Sequence, residues 1–419
     1  MTSFRFIHTA DLHLDSPFKG LRHLPKQIVS EIYESTFRSF DRIVEYCIEK
    51  EVDFLLIAGD VYDLEEQSLR AQFYFKKALE KLDHYGIHTF IIHGNHDPID
   101  QKKTKIKWPE KVHFFSGERV EWFSFQKDNK EVARILGRSY PTKAFMENIV
   151  KDFTKQNEKL FHIGLLHTNV DGQKNHDPYC PSRLQELVLG EMDYWALGHV
   201  HKHQILHDHH PYVVYPGNPQ GRHIQETGDK GCYYVEVKDN EVQTIEWLST
   251  AQIRWETIEL DISQITTIDD LINLVEMKIE EKRREIQRPL ICRVVLRGLT
   301  LLHSLLLEEE QRKELEEVIN LSLMGQQPWA WIEMIQVRIQ PHITNEYLHE
   351  QGTFLSDYLL QVERFFQGID IEFVQKEILS DLFRHRGIKK HFSSLTTEDF
   401  EEIRRQIITY AYEYFVERE

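Results

Sequence analysis

Residues 53–60 read DFLLIAGD, and this stretch decides the fold class. An uninterrupted apolar run that ends in a glycine and a carboxylate predicts a buried strand followed by a sharp turn. Four further apolar runs end in polar residues in the same way: 4–8 (FRFIH), 88–93 (HTFIIH), 161–167 (FHIGLLH) and 212–216 (YVVYP). Because helix-period stretches at 28–50 and 68–85 lie between the early strands, the first half of the chain is predicted to be a layered α/β structure.

The rest of the chain shows two further patterns. Near Ile253 the sequence begins an order of strand, helix, strand, helix and strand, and from about His342 it is helical in pattern. A chain of 419 residues also exceeds the size at which a single core usually stops growing. We therefore predict three parts, which are residues 1–250, a small α/β domain at 251–341 and a helical region at 342–419.

The last predicted helix starts at Thr396-Thr397-Glu398-Asp399, a polar cap with an acidic first turn. Its apolar residues recur at helical spacing on one face: Phe400, Ile403, Ile407, Ala411 and Tyr414, with Phe415 beside them. Such a stripe either packs against the core of its own chain or docks into the groove of a partner. The pattern leaves both interpretations open.

The chain is acidic overall, with 51 Lys and Arg residues against 68 Asp and Glu residues and a net charge of −17. This charge argues against a grip on nucleic acid over the whole surface, so any DNA contact must be local. Two basic clusters are candidates, although a solvated face is the commoner explanation of such clusters. They are Lys102, Lys103, Lys105, Lys107 and Lys111, and Arg384, Arg386, Lys389 and Lys390.

No apolar run approaches the roughly 18 residues that a membrane-spanning helix needs, and the N-terminus reads into a strand without a basic, cleavable leader. A cytoplasmic protein with no membrane partner is therefore expected. The four cysteines are far apart and lack CxxC spacing, so they are expected to be buried thiols; they are Cys47, Cys180, Cys232 and Cys292.

The ends of the predicted strands carry side chains of the types that bind metals. Asp11 and His13 are two residues apart, so in an extended segment they point the same way and can converge on one ion. Asp60 follows a turning glycine, and its two carboxylate oxygens can bridge two cations. The later strand ends contain His93-Gly94-Asn95-His96-Asp97, His167 and Gly198-His199-Val200-His201. These loops are predicted to meet at one sheet edge.

Carboxylate, imidazole and amide ligands without thiolates suit manganese, iron or zinc. Two such ions about 3.5–4 Å apart can hold a phosphate between them and activate water at neutral pH. His96 can stabilise charge or protonate a leaving oxygen, and Asp97 can orient its imidazole. Each fragment alone occurs by chance, but the order DxH, GD, GNHD, H and GHxH predicts a two-metal phosphoesterase.

These five blocks resemble the calcineurin-like metallophosphoesterase superfamily. Within it, four segments are similar to the SbcD-type DNA repair exonucleases, and especially to YhaO-like proteins: AGDVYDLEEQSLRAQ, LLHTNVDG, YWALGHVHKHQ and YPGNPQGRHIQETGDKGC. The resemblance covers the nuclease half of the chain. It implies a sandwich of two sheets flanked by helices, with the small α/β domain in the place of a DNA-capping domain and a helical C-terminus.

The resemblance also implies how the ligands are shared between the ions. One metal is assigned to Asp11, His13, Asp60 and His201, and the other to Asp60, Asn95, His167 and His199. His96 matches the family's proton-handling histidine. Some relatives carry a histidine three residues after the bridging aspartate, whereas this chain has Asp63 there, which leaves strand preference and processivity open.

By this resemblance, the expected activity is that of a metal-dependent DNA exonuclease or phosphodiesterase in DNA repair. It would use two divalent cations, with manganese first and iron or zinc as alternatives. The expected partners are DNA and an SbcC-like coiled-coil ATPase bound through the C-terminal helices, and a homodimer is an open alternative. Two other functions stay open: a phosphoesterase for small nucleotides, and a regulatory DNA-binding subunit of such an ATPase complex.

Several other polar residues near these blocks are assigned mainly structural roles. A solvated loop between strands is expected for His203, His207, His209 and His210. His93 is expected to pack in the sheet. Arg222 and His223, in GNPQGRH, either contact a substrate phosphate or stabilise a turn.

Overall fold

The computed structural model describes residues 3–16, 24–63, 68–100, 106–155, 157–172, 178–341, 354–368, 371–380 and 396–416. The chain forms two compact units. One unit consists of Met1–Glu256 with Arg288–Ile291, and the other of Thr257–Gln287 with Cys292–Glu419. The boundaries expected at residues 250 and 341 stay predictions.

Two six-stranded sheets form the first unit within the described ranges. Their strands, with a short pair formed by β8 and β9, are β1 (Ser3–Thr9), β2 (Phe54–Ala58), β3 (His88–Ile92), β4 (Val112–Phe114), β5 (Glu121–Lys127), β6 (Lys130–Gly137), β7 (Phe161–His167), β8 (Asn169–Val170), β9 (Pro181–Ser182), β10 (Tyr194–Gly198), β11 (Gln204–His207), β12 (Tyr212–Tyr215), β13 (Gly231–Lys238) and β14 (Glu241–Ser249). The first sheet has the order β14-β13-β1-β2-β3-β4, and the second has the order β11-β12-β10-β7-β6-β5.

The central strands of both sheets are parallel, which brings their carboxyl ends to one edge. In the first sheet β1 to β4 are parallel, and in the second β6, β7, β10 and β12 are parallel. Strand β2 is apolar along its whole length because both of its faces are buried. Phe54 and Leu56 face the core between the sheets, whereas Leu55 and Ile57 face the core on the other side of the sheet. Strands buried on both faces read as continuous apolar sequence rather than as alternation.

Helices cover the outer faces of the sandwich; they are α1 (Lys26–Glu49), α2 (Leu69–His84) and α3 (Leu184–Val188). Phe40 of α1 and Phe75 of α2 pack in the core outside the first sheet. Leu187 of α3 packs with Trp195 in the core of the second sheet. The Ser68 side chain accepts a hydrogen bond from Ala71 N at 3.0 Å and so caps α2. The predicted two-sheet sandwich flanked by helices is confirmed.

A buried histidine joins the two sheets. His8 of β1 hydrogen-bonds through Nε2 to Leu197 O and through Nδ1 to Tyr194 Oη, each at 3.1 Å. Because a carbonyl can only accept, Nε2 carries the proton and Nδ1 accepts from the tyrosine. Burial lowers the pKa of His8 to about 3, although the bond to Leu197 acts to raise it. His8 is therefore neutral in the folded protein near pH 7.

The second unit contains the predicted order of strand, helix, strand, helices and strand. The elements of this region are β15 (Arg254–Asp261), α4 (Ile268–Ile286), β16 (Leu290–Thr300), α5 (His303–Leu307), α6 (Glu309–Met324) and β17 (Ala330–Pro341), and the strands form a sheet in the order β15-β16-β17. The first residues of β15 (254–256) and of β16 (290–291) are counted in the first unit. Leu271, Val275 and Ile279 are buried along one face of α4 at spacings of four residues. Helices thus alternate with the strands of a three-stranded sheet in this region.

Two helices, α7 (Phe354–Gly368) and α8 (Thr397–Val416), follow it, with a short helical stretch at Ile371–Ile378 between them. Thr396 and Asp399 form the predicted cap, because Asp399 N donates to Thr396 Oγ1 at 3.1 Å and Thr396 N donates to Asp399 Oδ2 at 2.8 Å. Phe400 and Ala411 are buried, and the ring of Phe400 lies 5.0 Å from that of Phe366. These two residues of the stripe therefore pack within their own chain. The side chains of Tyr414 and Phe415 lie outside the described residues.

Among the described residues, no helix combines the length and the apolar character that crossing a membrane requires. All four cysteines are free and buried, as expected.

Candidate metal centre

The turns that follow β1 and β2 run side by side and form the floor of the centre. Asp11 N donates to Gly59 O at 3.0 Å, and His13 N donates to Asp60 O at 3.1 Å. Asp11, His13 and Asp60 have φ values of 52°, 43° and 52°, and His199 has 100°. Residues other than glycine rarely adopt this left-handed region, and such strain clusters where the surrounding structure holds a functional site in place.

The extended conformation predicted for Asp11 and His13 is wrong. Strand β1 ends at Thr9, and the backbone then pairs with the turn after β2 rather than continuing a sheet. Leu12 and Leu14 are buried in the core between the first sheet and its helices. The two ligand-type side chains converge because the leucines anchor the turn from the other side, and not because of strand pleating.

The first group of ligand-type side chains consists of Asp11, His13 and His201, whose donor atoms all lie within 4.8 Å of one another. His13 Nε2 and His201 Nε2 face each other at 3.3 Å. Burial lowers the pKa of His13, and it lowers that of His201 to about 3 in spite of the nearby Glu226 carboxylate. Both rings use Nδ1 to bond carboxylates, so the facing Nε2 atoms carry lone pairs. Two lone pairs at this distance suit a shared cation.

The second group surrounds the amide oxygen of Asn95. His167 Nε2 lies 3.0 Å from Asn95 Oδ1, and His199 Nδ1 lies 3.1 Å from it. Asp60 Oδ2 lies 3.3 Å from His167 Nε2 and 4.0 Å from His13 Nε2. Asp60 is therefore placed between the two groups, as a bridging carboxylate would be.

The buried carboxylates of the centre need positive charge beside them. Asp11 and Asp60 are each only 1% exposed, and buried carboxylates are costly unless positive charge lies beside them. Burial raises the pKa of Asp11 to about 7. Burial also acts to raise the pKa of Asp60, but His167 outweighs it and holds that pKa below its usual range. The same pairing raises the pKa of His167 to about 9 against the effect of burial.

A proton on His167 thus stands where a metal would bind, and metal ligation would displace it. Oxygen and nitrogen atoms from two carboxylates, an amide and four imidazoles converge without thiolates. The residues fit a binuclear site for divalent cations, with Asp60 shared between them.

His96 lies at the rim of the centre, where its side chain is 37% exposed. Its backbone N donates to Asp60 Oδ1 at 2.8 Å, which ties it to the shared carboxylate. Its ring Nδ1 lies 3.0 Å from Asp63 Oδ1. Burial acts to lower the pKa of His96, but the hydrogen bond to Asp63 outweighs it and raises the pKa. A partly exposed imidazole with a raised pKa can donate a proton to a bound group.

The role predicted for Asp97 is wrong. Its carboxylate accepts hydrogen bonds from Gly94 N at 2.8 Å and from Val61 N at 3.0 Å, and it is fully buried. Asp97 therefore joins the turns after β2 and β3. The carboxylate that contacts the imidazole of His96 is Asp63, which the sequence showed only as a departure from a family pattern.

Two carboxylates behind the centre were missed as site residues. Asp63 Oδ1 accepts from His13 Nδ1 at 2.8 Å, and Glu226 Oε1 accepts from His201 Nδ1 at 2.6 Å. Asp63 follows the bridging aspartate by three residues, so proximity in sequence could have suggested it. Glu226 lies 25 residues after His201, and no spacing rule connects them.

Gly94 and Gly198 explain why glycine precedes the ligands in two blocks. A Cβ atom on Gly94 would clash with the Asp60 carboxylate, and one on Gly198 would clash with Ala58 O. The turns approach one another so closely that a larger residue would separate the ligands.

The other histidines divide between packing and solvent. His93 stacks on Phe114 at 5.5 Å, as expected of a packed residue. His209 and His210 are exposed, which matches the expected loop. His203 differs, because its ring stacks on Trp247 at 4.0 Å.

The structure separates the two roles considered for Arg222. Its side chain is only 14% exposed, and Nη1 donates to Ser16 Oγ at 3.1 Å and to Asp63 Oδ2 at 3.2 Å. The Nη1 atom of the guanidinium is thus held by protein groups, which favours a structural role. His223 is half exposed, with Nε2 at 3.3 Å from Glu226 Oε1.

Of the two basic clusters predicted as DNA contacts, only Lys107 and Lys111 lie within the described residues.

Family comparison agrees with this geometry. Residues 4–203 match the model of the calcineurin-like phosphoesterases, and residues 255–340 match the middle domain of metallophosphoesterase YhaO. The chain is 37% identical over 410 residues to the metallophosphoesterase YhaO of Bacillus subtilis (strain 168), with 97% of this chain and 96% of the relative covered.

More distant relatives include the DNA double-strand break repair protein Mre11 of Methanocaldococcus jannaschii, which is 25% identical over 293 residues, covering 66% of this chain and 70% of the relative. Among solved structures, a dimetal phosphatase from Danio rerio matches 59% of this chain and 98% of its own, at 12% identity and a TM-score of 0.35. The 37% identity to YhaO of Bacillus subtilis, over 97% of this chain, shows together with the two family models that the chain belongs to the YhaO-like calcineurin-like metallophosphoesterases, a family of hydrolases.

Proposed function

We propose that the protein is a DNA exonuclease or phosphodiesterase of the SbcD type that acts in DNA repair with two divalent cations. The observation that carries the proposal is the shared position of Asp60 between two groups of ligand-type side chains. The DNA substrate is supported by the more distant relatives named as DNA double-strand break repair proteins.

Asp11, His13 and His201 would hold one cation, Asn95, His167 and His199 would hold the other, and Asp60 would contact both. Cations so placed supply the charge that polarises a phosphodiester and makes hydroxide available near pH 7. The ligand types favour manganese first, with iron or zinc as alternatives.

The protein's own groups provide orientation and a proton. Asp60 accepts from the backbone of His96 and so places that ring beside the shared carboxylate. Asp63 raises the pKa of His96 and so favours its protonated form, and the exposed edge of the ring can donate this proton to the leaving oxygen of a cleaved phosphodiester. The left-handed turns at Asp11 and His13 fix their side chains before substrate arrives.

A partner of the SbcC type also belongs to the proposal. A chain of net charge −17 is poorly suited to bind a DNA backbone alone, and a coiled-coil ATPase could add the missing positive surface. Helix α8 offers Ile407, which is partly buried, and Tyr410, which is exposed, for such a contact. A homodimer stays a prediction that light scattering can test.

Hydrolysis assays distinguish the proposal from the two other functions. The full chain would be assayed with manganese on bis-nitrophenyl phosphate, on small nucleotides, and on linear and hairpin DNA. The proposal expects cleavage of the small diester and of DNA. Hydrolysis of nucleotides without DNA cleavage would indicate a small-nucleotide phosphoesterase. Metal binding without any hydrolysis would indicate a regulatory subunit.

A further inference from the structure

We infer that the first group of side chains binds its cation more tightly than the second group, because Asp63 and Glu226, held together by Arg222, support its histidines. The inference rests on the proposed two-metal function and deepens it, since it says which cation stays bound when metal is scarce.

Both histidines of the first group are backed by carboxylates. His13 Nδ1 donates to Asp63 Oδ1 at 2.8 Å, and His201 Nδ1 donates to Glu226 Oε1 at 2.6 Å. A carboxylate behind an imidazole fixes the ring and increases the basicity of the nitrogen that faces the metal. Both Nε2 atoms of this group therefore become stronger donors, and they already face each other at 3.3 Å.

Within the second group, His167 has weaker support than the two histidines of the first group. His167 Nδ1 donates to Ala58 O at 2.8 Å, and a neutral carbonyl adds less basicity than a carboxylate does. Asn95 presents a neutral amide oxygen to this group. The first group has the carboxylate of Asp11 where the second has this amide, although Asp11 also lies within 4.8 Å of the ligand-type atoms of Asp60 and His167.

Arg222 connects the two supporting carboxylates. Its Nη1 lies 3.2 Å from Asp63 Oδ2, its Nη2 lies 3.6 Å from Glu226 Oε1, and its backbone N donates to Glu226 Oε2 at 2.8 Å. Asp63 thereby points one oxygen to the guanidinium and the other to His13. A guanidinium stays protonated under all ordinary conditions, so it offsets the repulsion between the buried Glu226 and the partly buried Asp63 and fixes their orientation.

Manganese titration of the metal-free full chain tests this inference by calorimetry and by the electron paramagnetic resonance signal of free manganese. The wild-type protein should show a tight and a weaker site. Glu226→Gln removes one charge at nearly constant size, and it should weaken the tight site by about 10- to 100-fold while the weaker site changes little. Asp229→Asn is the matched control, because its carboxylate lies in the same loop but bonds Ser249 and Arg254.

Asn95→Ala gives a second measurement that does not depend on Glu226. It should remove the weaker site and leave the tight one. Loss of the tight site in Asn95→Ala would overturn the inference, as would two equal sites in the wild type or unchanged affinities in a folded Glu226→Gln protein. If manganese-dependent hydrolysis persists in those cases, the proposed function stands. A wild-type protein that binds no manganese would instead overturn the proposed function itself.

Discussion

At the scale of single residues, the proposed function assigns metal binding and proton transfer to different side chains. Except for His201, which is partly exposed, the ligand-type side chains of the two groups are buried, whereas His96 lies at the rim beside Asp63, which raises its pKa. This division allows each task to be removed without the other.

His96→Ala is expected to retain both metals and to lower the rate of hydrolysis by roughly 10²–10⁴, the usual value of a positioned proton-transfer group. Metal content by mass spectrometry and kcat on bis-nitrophenyl phosphate would be measured on the same preparation. His93→Ala is a suitable comparison, because this neighbouring histidine stacks on Phe114. Loss of metal from His96→Ala would mean that the residue is a ligand instead.

Asp63→Asn is expected to move the alkaline limb of the pH–rate profile to lower pH. Asp63 raises the pKa of His96, so the protonated, active form persists to higher pH in the wild-type protein. Removal of the carboxylate lets the pKa fall, and activity is then lost earlier as pH rises. The measurement is kcat against pH for both proteins with saturating manganese. An unchanged alkaline limb would show that His96 does not act as the acid.

Ligand types could be predicted at this scale, but their supporting residues could not. Asp11, Asp60 and His167 stand at the ends of apolar runs, which is a local signal. Glu226 reaches His201 because a loop folds back after β12, and local sequence does not encode that contact. The prediction that Asp97 orients His96 was wrong for the same reason, since the partners of Asp97 depend on how the turns after β2 and β3 meet.

At the scale of elements, the sheets were predictable and the turns between them were not. Strand β2 is apolar throughout because both of its faces are covered, so its burial can be predicted from a short stretch of sequence. The left-handed turn at Asp11 and His13 depends on hydrogen bonds to residues almost fifty positions away. The pattern assumed an extended strand, whereas the structure brings these side chains together through this turn.

His8, which hydrogen-bonds the two sheets together, makes the free energy of unfolding depend on pH. Its pKa is about 3 in the folded protein and 6.5 when solvated, so between these values the unfolded chain binds the extra proton. Stability from this group is therefore present above pH 6.5 and is lost as pH falls toward 3, by at most about 1.4 kcal/mol per pH unit. We expect His8→Gln to show a shallower loss of unfolding free energy between pH 7 and pH 5.

Urea denaturation at several pH values would measure this slope. His209→Gln is the matched control, because its side chain is 71% exposed and should leave the slope unchanged. Equal slopes for the wild type and His8→Gln would show that His8 does not resist protonation in the folded state.

At the scale of the whole molecule, the acidic net charge bears on DNA binding rather than on the chemistry of the metal centre. Under the proposed function, the metal centre would act on any phosphodiester that reaches it, but a net charge of −17 opposes the approach of a long DNA backbone. The two roles of the α8 stripe are only partly resolved by its packing, since Phe400 and Ala411 are buried and Ile407 is intermediate.

Replacing Ile407 and Tyr414 with Asp is expected to weaken co-purification with an SbcC-like ATPase and to leave hydrolysis of the small diester intact, because neither residue belongs to the metal centre. Gln406→Asp, on the exposed side of the same helix, should co-purify normally. Unchanged co-purification of a folded double variant would place the partner site elsewhere. Global misfolding would show that the whole stripe belongs to the chain's own core.

The central claim is that two cations share Asp60 and together support hydrolysis, and the most direct test counts metal and turnover in one sample. Wild-type and Asp60→Ala proteins would be stripped with chelator and titrated with manganese, while bound metal and bis-nitrophenyl phosphate hydrolysis are recorded together. We predict that wild-type activity rises as the second manganese binds, and that Asp60→Ala loses bound metal and turnover together. Comparable turnover in Asp60→Ala, or full activity in the stripped wild-type protein, would contradict the account.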